Sequence, residues 1–196
     1  MERAERQLRG IPGQFTTRAE DDGRMIIEGY FAVFDSVYQI WSDMSESIRQ
    51  GAFANTIASD DIRALINHDT TLVLGRNTAG TLELREDERG LWGRIEINPN
   101  DSDAVNAYAR VSRGDVSQCS IGFDIIRETS EVRTDGSVHW TIEEAMLWEV
   151  SICTFPAYEE TNVTARAKER DELITRQREA WKARMLSKLK GENHGT

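Results

Sequence analysis

The chain has 196 residues and a mass of 22.3 kDa, about the size of one domain with an appendage. No run of about 18 apolar residues could span a bilayer, so we expect no membrane association. The net charge of −10 is uneven: residues 166–190 hold nine Lys or Arg against four Asp or Glu, a local +5 that leaves −15 elsewhere. The acidic body argues against direct binding to nucleic acid.

The two cysteines, Cys119 and Cys153, have no CxxC partner and no histidine cluster around them. We therefore expect packed, reduced thiols, with no disulfide, no metal site and no cofactor. The charged N-terminal residues lack the apolar segment of a secretory signal, which leads us to expect a cytosolic protein.

Residues 1–23 are charged and turn-prone, and we expect them to form a flexible N-terminal arm. A strand rich in β-branched and aromatic residues follows at 25–34. A short helix at 54–59 precedes a strand at 60–68 that ends at His68. Apolar residues then alternate or cluster over 71–75, 81–87 and 91–97, which predicts an antiparallel meander.

Residues 98–102 contain capping side chains, and Gly114 is a stop signal, so we predict a helix over 103–113. Strands are predicted at 117–127, 137–143 and 145–154. Six or seven strands with two small helices indicate an α+β fold, a mostly antiparallel, closed or nearly closed β-barrel with flanking helices.

The composition changes after Tyr158 to Ala, Arg, Lys, Glu and Leu. We therefore divide the chain into an arm (1–23), a barrel domain (24–158) and a charged helical tail (159–196). The apolar positions of the tail fall on one stripe, which we expect a partner or the body to cover: Leu173, Ile174, Trp181, Met185, Leu186 and Leu189.

Three histidines are candidates for a general base. His68 lies between Asn67 and Asp69 at a strand end, the position of a cleft residue. His139 lies inside a strand and is more typical of a packed residue, and His194 lies near the end of the chain.

Ser120 is a candidate nucleophile on an apolar strand, although a buried serine that bonds only backbone would look the same. Gly122 would allow another chain to approach closely. Cys119 points to the opposite face of an extended strand from Ser120, which favours a core position. Glu149 is an acid in an apolar stretch and needs a partner, which His68 could supply, and Ser151 shares its face.

Several motifs in one order resemble the prohead proteases of tailed phages, the capsid-maturation serine proteases related in fold to herpesvirus assemblins. The resemblance covers residues 24–165. Its motifs are Asn67-His68-Asp69, Ser120-Ile121-Gly122-Phe123, Leu147-Trp148-Glu149-Val150-Ser151 and Pro156-Ala157-Tyr158, together with residues 27–30, 51–53, 74–76, 80–82, 87 and 90–91.

The resemblance implies a serine endopeptidase with His68 as base, Ser120 as nucleophile and Glu149 as the acid that orients the base. His139 is the alternative third member, because the herpesvirus relatives use a second histidine there. Backbone amides, with Arg76, would bind the oxyanion. No metal is required.

The implied partners are the major capsid protein or the scaffolding protein, cleaved inside the immature procapsid in the host cytoplasm. Self-cleavage and homo-oligomer formation are implied as well. The tail would then be a scaffold-docking or self-cleaved segment.

Two other functions stay open at this point. A non-enzymatic assembly scaffold or chaperone would act through the tail helix, with the barrel inactive. A cysteine peptidase would use Cys119, which the strand alternation disfavours.

Overall fold

A computed structural model describes residues 7–12, 15–21, 23–155 and 160–192. Within these residues there are eleven strands and three α-helices. In chain order they are β1 (Gln7–Pro12), β2 (Phe15–Ala19), β3 (Met25–Val33), β4 (Tyr38–Trp41), β5 (Met44–Ile48), α1 (Ala54–Ser59), β6 (Arg63–Ile66), β7 (Asp69–Arg76), β8 (Leu82–Glu86), β9 (Gly90–Ile97), α2 (Ser102–Arg113), β10 (Gln118–Val132), β11 (Val138–Cys153) and α3 (Glu160–Glu192).

The larger sheet is organised around the long strand β11. Its strand order is β1-β10-β11-β5-β4, and β6 and β7 extend it from the other end of β11. The first part of β11 pairs in parallel with β5, and its last residues, 149–152, pair in parallel with β6. Residues 149–153 are all buried, because neighbouring elements cover this end of the strand on both faces.

The smaller sheet has the order β2-β3-β9-β8. Both sheets contribute to one core, which β3 and β9 supply from one side and β10 and β11 from the other. The alternation of buried and less buried residues along β9 reflects a strand with one face on this core. Helix α2 adds Ala104, Ala107 and Val111 to the same core.

The α+β class and the predominance of antiparallel pairing are confirmed, with seven of the nine described strand pairings antiparallel. The predicted single barrel of six or seven strands is wrong. The described strands form two separate sheets that are not closed into a barrel. Periodicity locates strands along the chain, but closure depends on which edges pair, and that is a long-range property.

The local predictions for the helices are closer. Helix α1 has the predicted bounds, and α2 begins one residue before the predicted start. The Asp101 carboxylate accepts hydrogen bonds from the amides of Asp103 and Ala104, as an N-cap should. Gly114 ends α2 with a φ of 81°, a left-handed conformation that glycine adopts without strain.

Strands β1 and β2 lie in the segment that we expected to be a flexible arm. β1 pairs with β10 of the larger sheet, and β2 pairs with β3 of the smaller one. Tertiary pairing therefore orders short polar segments that carry weak strand signals of their own. The Pro156-Ala157-Tyr158 motif and the boundary between barrel domain and tail lie outside the described residues.

The proximal part of α3 packs on the larger sheet. Leu173 and Ile174 lie against a small apolar cluster formed by Met44, Val138 and Trp140. The Arg166 guanidinium stacks on the Trp140 ring, 4.6 Å from its centroid. Further along the helix, Trp181, Met185 and Leu186 are exposed. The side chain of Leu189 lies outside the described residues.

A buried ionic cluster joins β1, β5 and α3. Glu46 of β5 accepts hydrogen bonds from Arg9 of β1 at 3.0 Å and from Arg166 of α3 at 3.2 Å. The side chains of Glu46 and Arg166 are 1% and 2% exposed. Burial by itself would raise the pKa of Glu46, but the two arginines outweigh it and hold that pKa below its ordinary value.

We expect Glu46→Gln to lower the free energy of unfolding by about 3–5 kcal/mol, because two buried guanidinium groups lose their shared counter-charge. The measurement is denaturant unfolding at neutral pH. The matched control is Glu172→Gln, which alters an exposed ion pair with Arg176 and should change stability by less than about 1 kcal/mol. Equal effects of the two changes would contradict the importance of the buried cluster.

The same cluster predicts a pH dependence. Because the folded-state pKa of Glu46 is lowered, its contribution is fully present above the ordinary value of 4.5 and is lost as the pH falls through the folded-state pKa. The stability difference between the wild type and Glu46→Gln should therefore shrink below pH 4.5. A stability difference that stays constant as the pH is lowered, until the protein unfolds in acid, would contradict the lowered pKa of Glu46.

Candidate active site

Three adjacent strands bring the candidate site residues together. β10 carries Ser120, β11 carries Glu149, and His68 lies in the two-residue turn between β6 and β7. Since β11 pairs with β10 on one side and with β6 on the other, residues distant in sequence meet across the centre of the larger sheet.

The backbone that presents His68 has an uncommon conformation. Asn67 and His68 have φ values of 51° and 62°, a left-handed region that residues other than glycine rarely occupy. Two hydrogen bonds hold Asn67 to the end of β11: its amide donates to the carbonyl of Ile152 at 2.9 Å, and its side-chain oxygen accepts from the amide of Thr154 at 2.9 Å. Tertiary contacts therefore maintain a turn that the local sequence alone would not favour.

His68 and Glu149 form a short hydrogen bond. Nδ1 of His68 lies 2.6 Å from Oε1 of Glu149, whose side chain is 5% exposed, while that of His68 is 19% exposed. A carboxylate accepts only, so Nδ1 carries the proton and Nε2 of the neutral ring is left as an acceptor. This arrangement suits a general base that takes a proton at Nε2.

The second oxygen of Glu149 is held by Ser151. The Ser151 hydroxyl donates to Oε2 of Glu149 at 2.5 Å, and the backbone amide of His68 donates to the same hydroxyl at 3.2 Å. The expectation that Ser151 shares the face of Glu149 agrees with this geometry. The buried carboxylate thus has a partner at each oxygen.

Gly122 makes room for the Glu149 carboxylate. A Cβ atom at position 122 would lie 2.4 Å from Oε1 of Glu149, closer than real side-chain contacts allow. The sequence suggested that Gly122 allows a close approach by another chain. In the structure it is a carboxylate of the same chain that approaches.

Ser120 lies beside this network on the neighbouring strand. It is directly opposite Ser151 in the β10–β11 register, and Gly122 is opposite Glu149. Side chains of directly opposed residues project from the same face, so Ser120 shares the face of Ser151 and Glu149. Within the described part of the chain, its Oγ is buried without a hydrogen-bond partner.

Strand β1 pairs with the edge of β10 that faces away from β11. Gly10 lies directly opposite Ser120 in the β1–β10 register, so this stretch of β10 is paired along both edges. Ser120 is 0% exposed. A substrate backbone could pair with β10 at this point only after β1 had moved.

Cys153 was not singled out for the site by the sequence, yet it contacts His68. Its Sγ lies 3.8 Å from Nε2 of His68. Burial, with a smaller contribution from the Glu149 charge, raises the pKa of Cys153 to about 12, so the neutral thiol prevails at physiological pH. The two-residue spacing from Ser151 could have placed Cys153 on this face, because alternate strand residues share a face.

The other candidates lie elsewhere. His139 sits between two serines, with Nδ1 2.9 Å from Ser45 Oγ and Nε2 3.0 Å from Ser47 Oγ. Cys119 is fully buried, and its thiol contacts the carbonyls of β3 residues.

Arg76, suggested for the oxyanion, instead makes two hydrogen bonds to the Asp61 carboxylate, at 2.7 and 2.6 Å. The Arg76 guanidinium lowers the pKa of Asp61 to about 2.

Among the residues that the structure describes, no group of three or more His, Cys, Asp or Glu side chains is arranged to hold a metal ion. A search of the same residues finds no helix with the length and apolar character needed to cross a membrane.

Gly122→Ala should break the bond between His68 and Glu149, because the added methyl group occupies the position of the carboxylate. In ¹⁵N-labelled protein, the Nδ1–H signal of His68 should lose the low-field shift of a short hydrogen bond. Thermal unfolding checks that the fold persists. An unchanged Nδ1–H signal in a folded variant would contradict the assigned geometry.

Comparisons with known proteins identify the family. The sequence matches the family described as caudovirus prohead serine protease over residues 13–175. It is 32% identical over 148 residues to the prohead protease of Enterobacteria phage HK97, an alignment that covers 74% of this chain and 61% of that protein.

Among solved structures, that of the bacteriophage T4 capsid assembly protease aligns with a TM-score of 0.45 and 13% identity, over 76% of this chain and 98% of that one. The match to the family extends over well more than half of the sequence. The chain therefore belongs to the caudovirus prohead serine protease family.

Proposed function

We propose that this chain is a serine endopeptidase that cleaves the scaffolding protein, or a scaffold-like part of the major capsid protein, inside the immature head of a tailed phage. Family membership supports the reaction class. The observation that carries the proposal is the bond of His68 to the buried Glu149, with Ser120 on the adjoining strand and the same face.

In the proposed reaction, the Ser120 hydroxyl attacks the scissile carbonyl while Nε2 of His68 takes its proton. The resulting imidazolium is stabilised by Glu149 at Nδ1 and then gives its proton to the leaving amine. Water attacks the acyl-enzyme with the same base, which releases the acid product and restores the Ser120 hydroxyl. His68 passes each proton from the attacking oxygen to the leaving group, which is the amine in the first half of the reaction and the Ser120 oxygen in the second.

The burial of Ser120 sets a condition on this reaction. In the described conformation Ser120 is 0% exposed and β1 pairs with β10 beside it, so we propose that the β1–β10 edge opens before a substrate strand can pair with β10 at Ser120. β1 is an edge strand of the larger sheet, and an edge strand can open locally without global unfolding, although the buried Arg9–Glu46 contact opposes its opening. Self-cleavage is part of the proposal.

Ser120→Ala should abolish cleavage of co-expressed capsid and scaffolding proteins, because the nucleophile is removed. The measurement is intact-mass spectrometry of those proteins. The matched control is Ser117→Ala, three residues away and exposed, which should cleave like the wild type.

A second control tests whether the Cys153 thiol, which lies beside His68, is the nucleophile in place of the Ser120 hydroxyl. Cys153→Ala should retain cleavage, since the neutral thiol is a poor nucleophile. Cleavage by Ser120→Ala together with its loss in Cys153→Ala would replace the serine assignment with a cysteine one.

The distal part of α3 supports a second, non-catalytic role. Trp181 and Leu186 are 59% and 58% exposed on a basic segment, which is a surface suited to a protein partner. We propose that this part of the tail docks on an acidic scaffolding or capsid protein. Homo-oligomer formation and a relation in fold to the herpesvirus assemblins belong to the same proposal.

Trp181→Ala should lower the amount of this chain incorporated into proheads, because the docking surface loses its largest apolar side chain. Quantitative mass spectrometry of purified proheads measures the amount of this chain that is incorporated. Glu179→Ala on the same helix is the control and should not reduce incorporation. Unchanged incorporation in Trp181→Ala would remove the docking role from this surface.

A further inference from the structure

We propose that Ser151 is a positioning residue of the catalytic site, which fixes Glu149 and His68 relative to each other through a single hydroxyl. The inference rests on the proposed function, since it assigns a role within the same site. Ser151 takes no part in bond making or proton transfer and acts entirely through its two hydrogen-bond partners.

The hydroxyl of Ser151 closes a small ring of hydrogen bonds. It donates to Oε2 of Glu149 at 2.5 Å and accepts from the backbone amide of His68 at 3.2 Å, while Oε1 of Glu149 bonds Nδ1 of the same histidine at 2.6 Å. A hydroxyl has one proton and two lone pairs, so it can make both contacts at once. The acid and the base are thus tied together at two points.

The hydrogen bond from the His68 amide to the Ser151 hydroxyl extends the pairing of β6 with β11 beyond the end of β6. The Asn67 amide still donates to the carbonyl of Ile152, as in a regular ladder. The next amide, that of His68, finds a side-chain hydroxyl instead, because the chain has turned into the left-handed region with a φ of 62°. Ser151 therefore supplies the acceptor that the turn would otherwise lack.

The contact to Glu149 fixes the rotation of its carboxylate. Oε1 is confined between the His68 ring and the backbone of Gly122, where even a methyl group would not fit. Ser151 is 0% exposed, so bulk water cannot replace its hydroxyl at Oε2. Without that donor, a buried charged oxygen would lose its partner, and the carboxylate could rotate away from Nδ1.

The alternative is that Ser151 merely fills space in the sheet. Two variants separate these possibilities. Ser151→Ala removes the hydroxyl, and Ser151→Cys keeps a group of similar shape that is a much weaker donor. Ser47→Ala is the matched control, because Ser47 is also a buried serine that bonds a histidine, namely Nε2 of His139.

The first readout is the rate at which a fluorophosphonate probe labels Ser120, measured with the full chain assembled in proheads. Both Ser151 variants should react about ten- to a hundredfold more slowly, and Ser47→Ala should match the wild type. In a Glu149→Gln background, Ser151→Ala should cause little further loss, because its effect passes through Glu149. Full additivity of the two changes would overturn the inference.

The second readout does not depend on activity. The Nδ1–H signal of His68 in ¹⁵N-labelled protein should shift upfield in both Ser151 variants and stay in place in Ser47→Ala. An unchanged signal in folded Ser151→Ala would overturn the positioning role. If the signal shifts as expected but wild-type protein never reacts with the probe, the positioning role stands and the proposed function fails.

Discussion

The buried carboxylate of Glu149 is the constraint on which the site depends. A charge in the interior of a sheet is tolerated only when its oxygens are hydrogen-bonded, and the structure meets this requirement with the His68 ring and the Ser151 hydroxyl. The position opposite must be glycine, because any side chain there would occupy the space of the carboxylate. The left-handed turn at Asn67 and His68 then brings the ring to the acid instead of leaving it in solvent.

Much of the local structure could be predicted because short-range rules determine it. The bounds of α1, the Asp101 cap and the Gly114 stop of α2 follow from side chains within a few residues of each end. The arrangement of the sheets could not be predicted. β11 has parallel partners at both of its ends, β5 and β6, and no local pattern encodes such a choice. Because the strands pair in this way, the protein has two sheets and not the barrel that the number of strands had suggested.

The site shows the same division. Glu149 could be identified from sequence because an acid in an apolar strand requires a partner, and the structure places His68 there. The contact of Cys153 with His68 was not predicted, because His68 lies in the turn after β6, far from Cys153 in sequence. The predicted mechanism had Arg76 help to bind the oxyanion, yet in this chain the Asp61 carboxylate binds its guanidinium. Such competition between partners depends on tertiary geometry, which a motif does not contain.

The ionic cluster at Glu46 connects the first strand, β1, with the last helix, α3. Arg9 belongs to β1, which pairs with β10 beside Ser120, Arg166 belongs to α3, and both donate to the Glu46 carboxylate. If β1 leaves, Glu46 retains only Arg166 as a counter-charge, and if α3 leaves, it retains only Arg9. Release of β1 therefore changes the free energy needed to release α3, and the reverse also holds, because the buried Glu46 carboxylate has one counter-charge fewer. The pairing of β1 with β10 and the packing of α3 on the larger sheet are therefore energetically coupled through the Glu46 side chain.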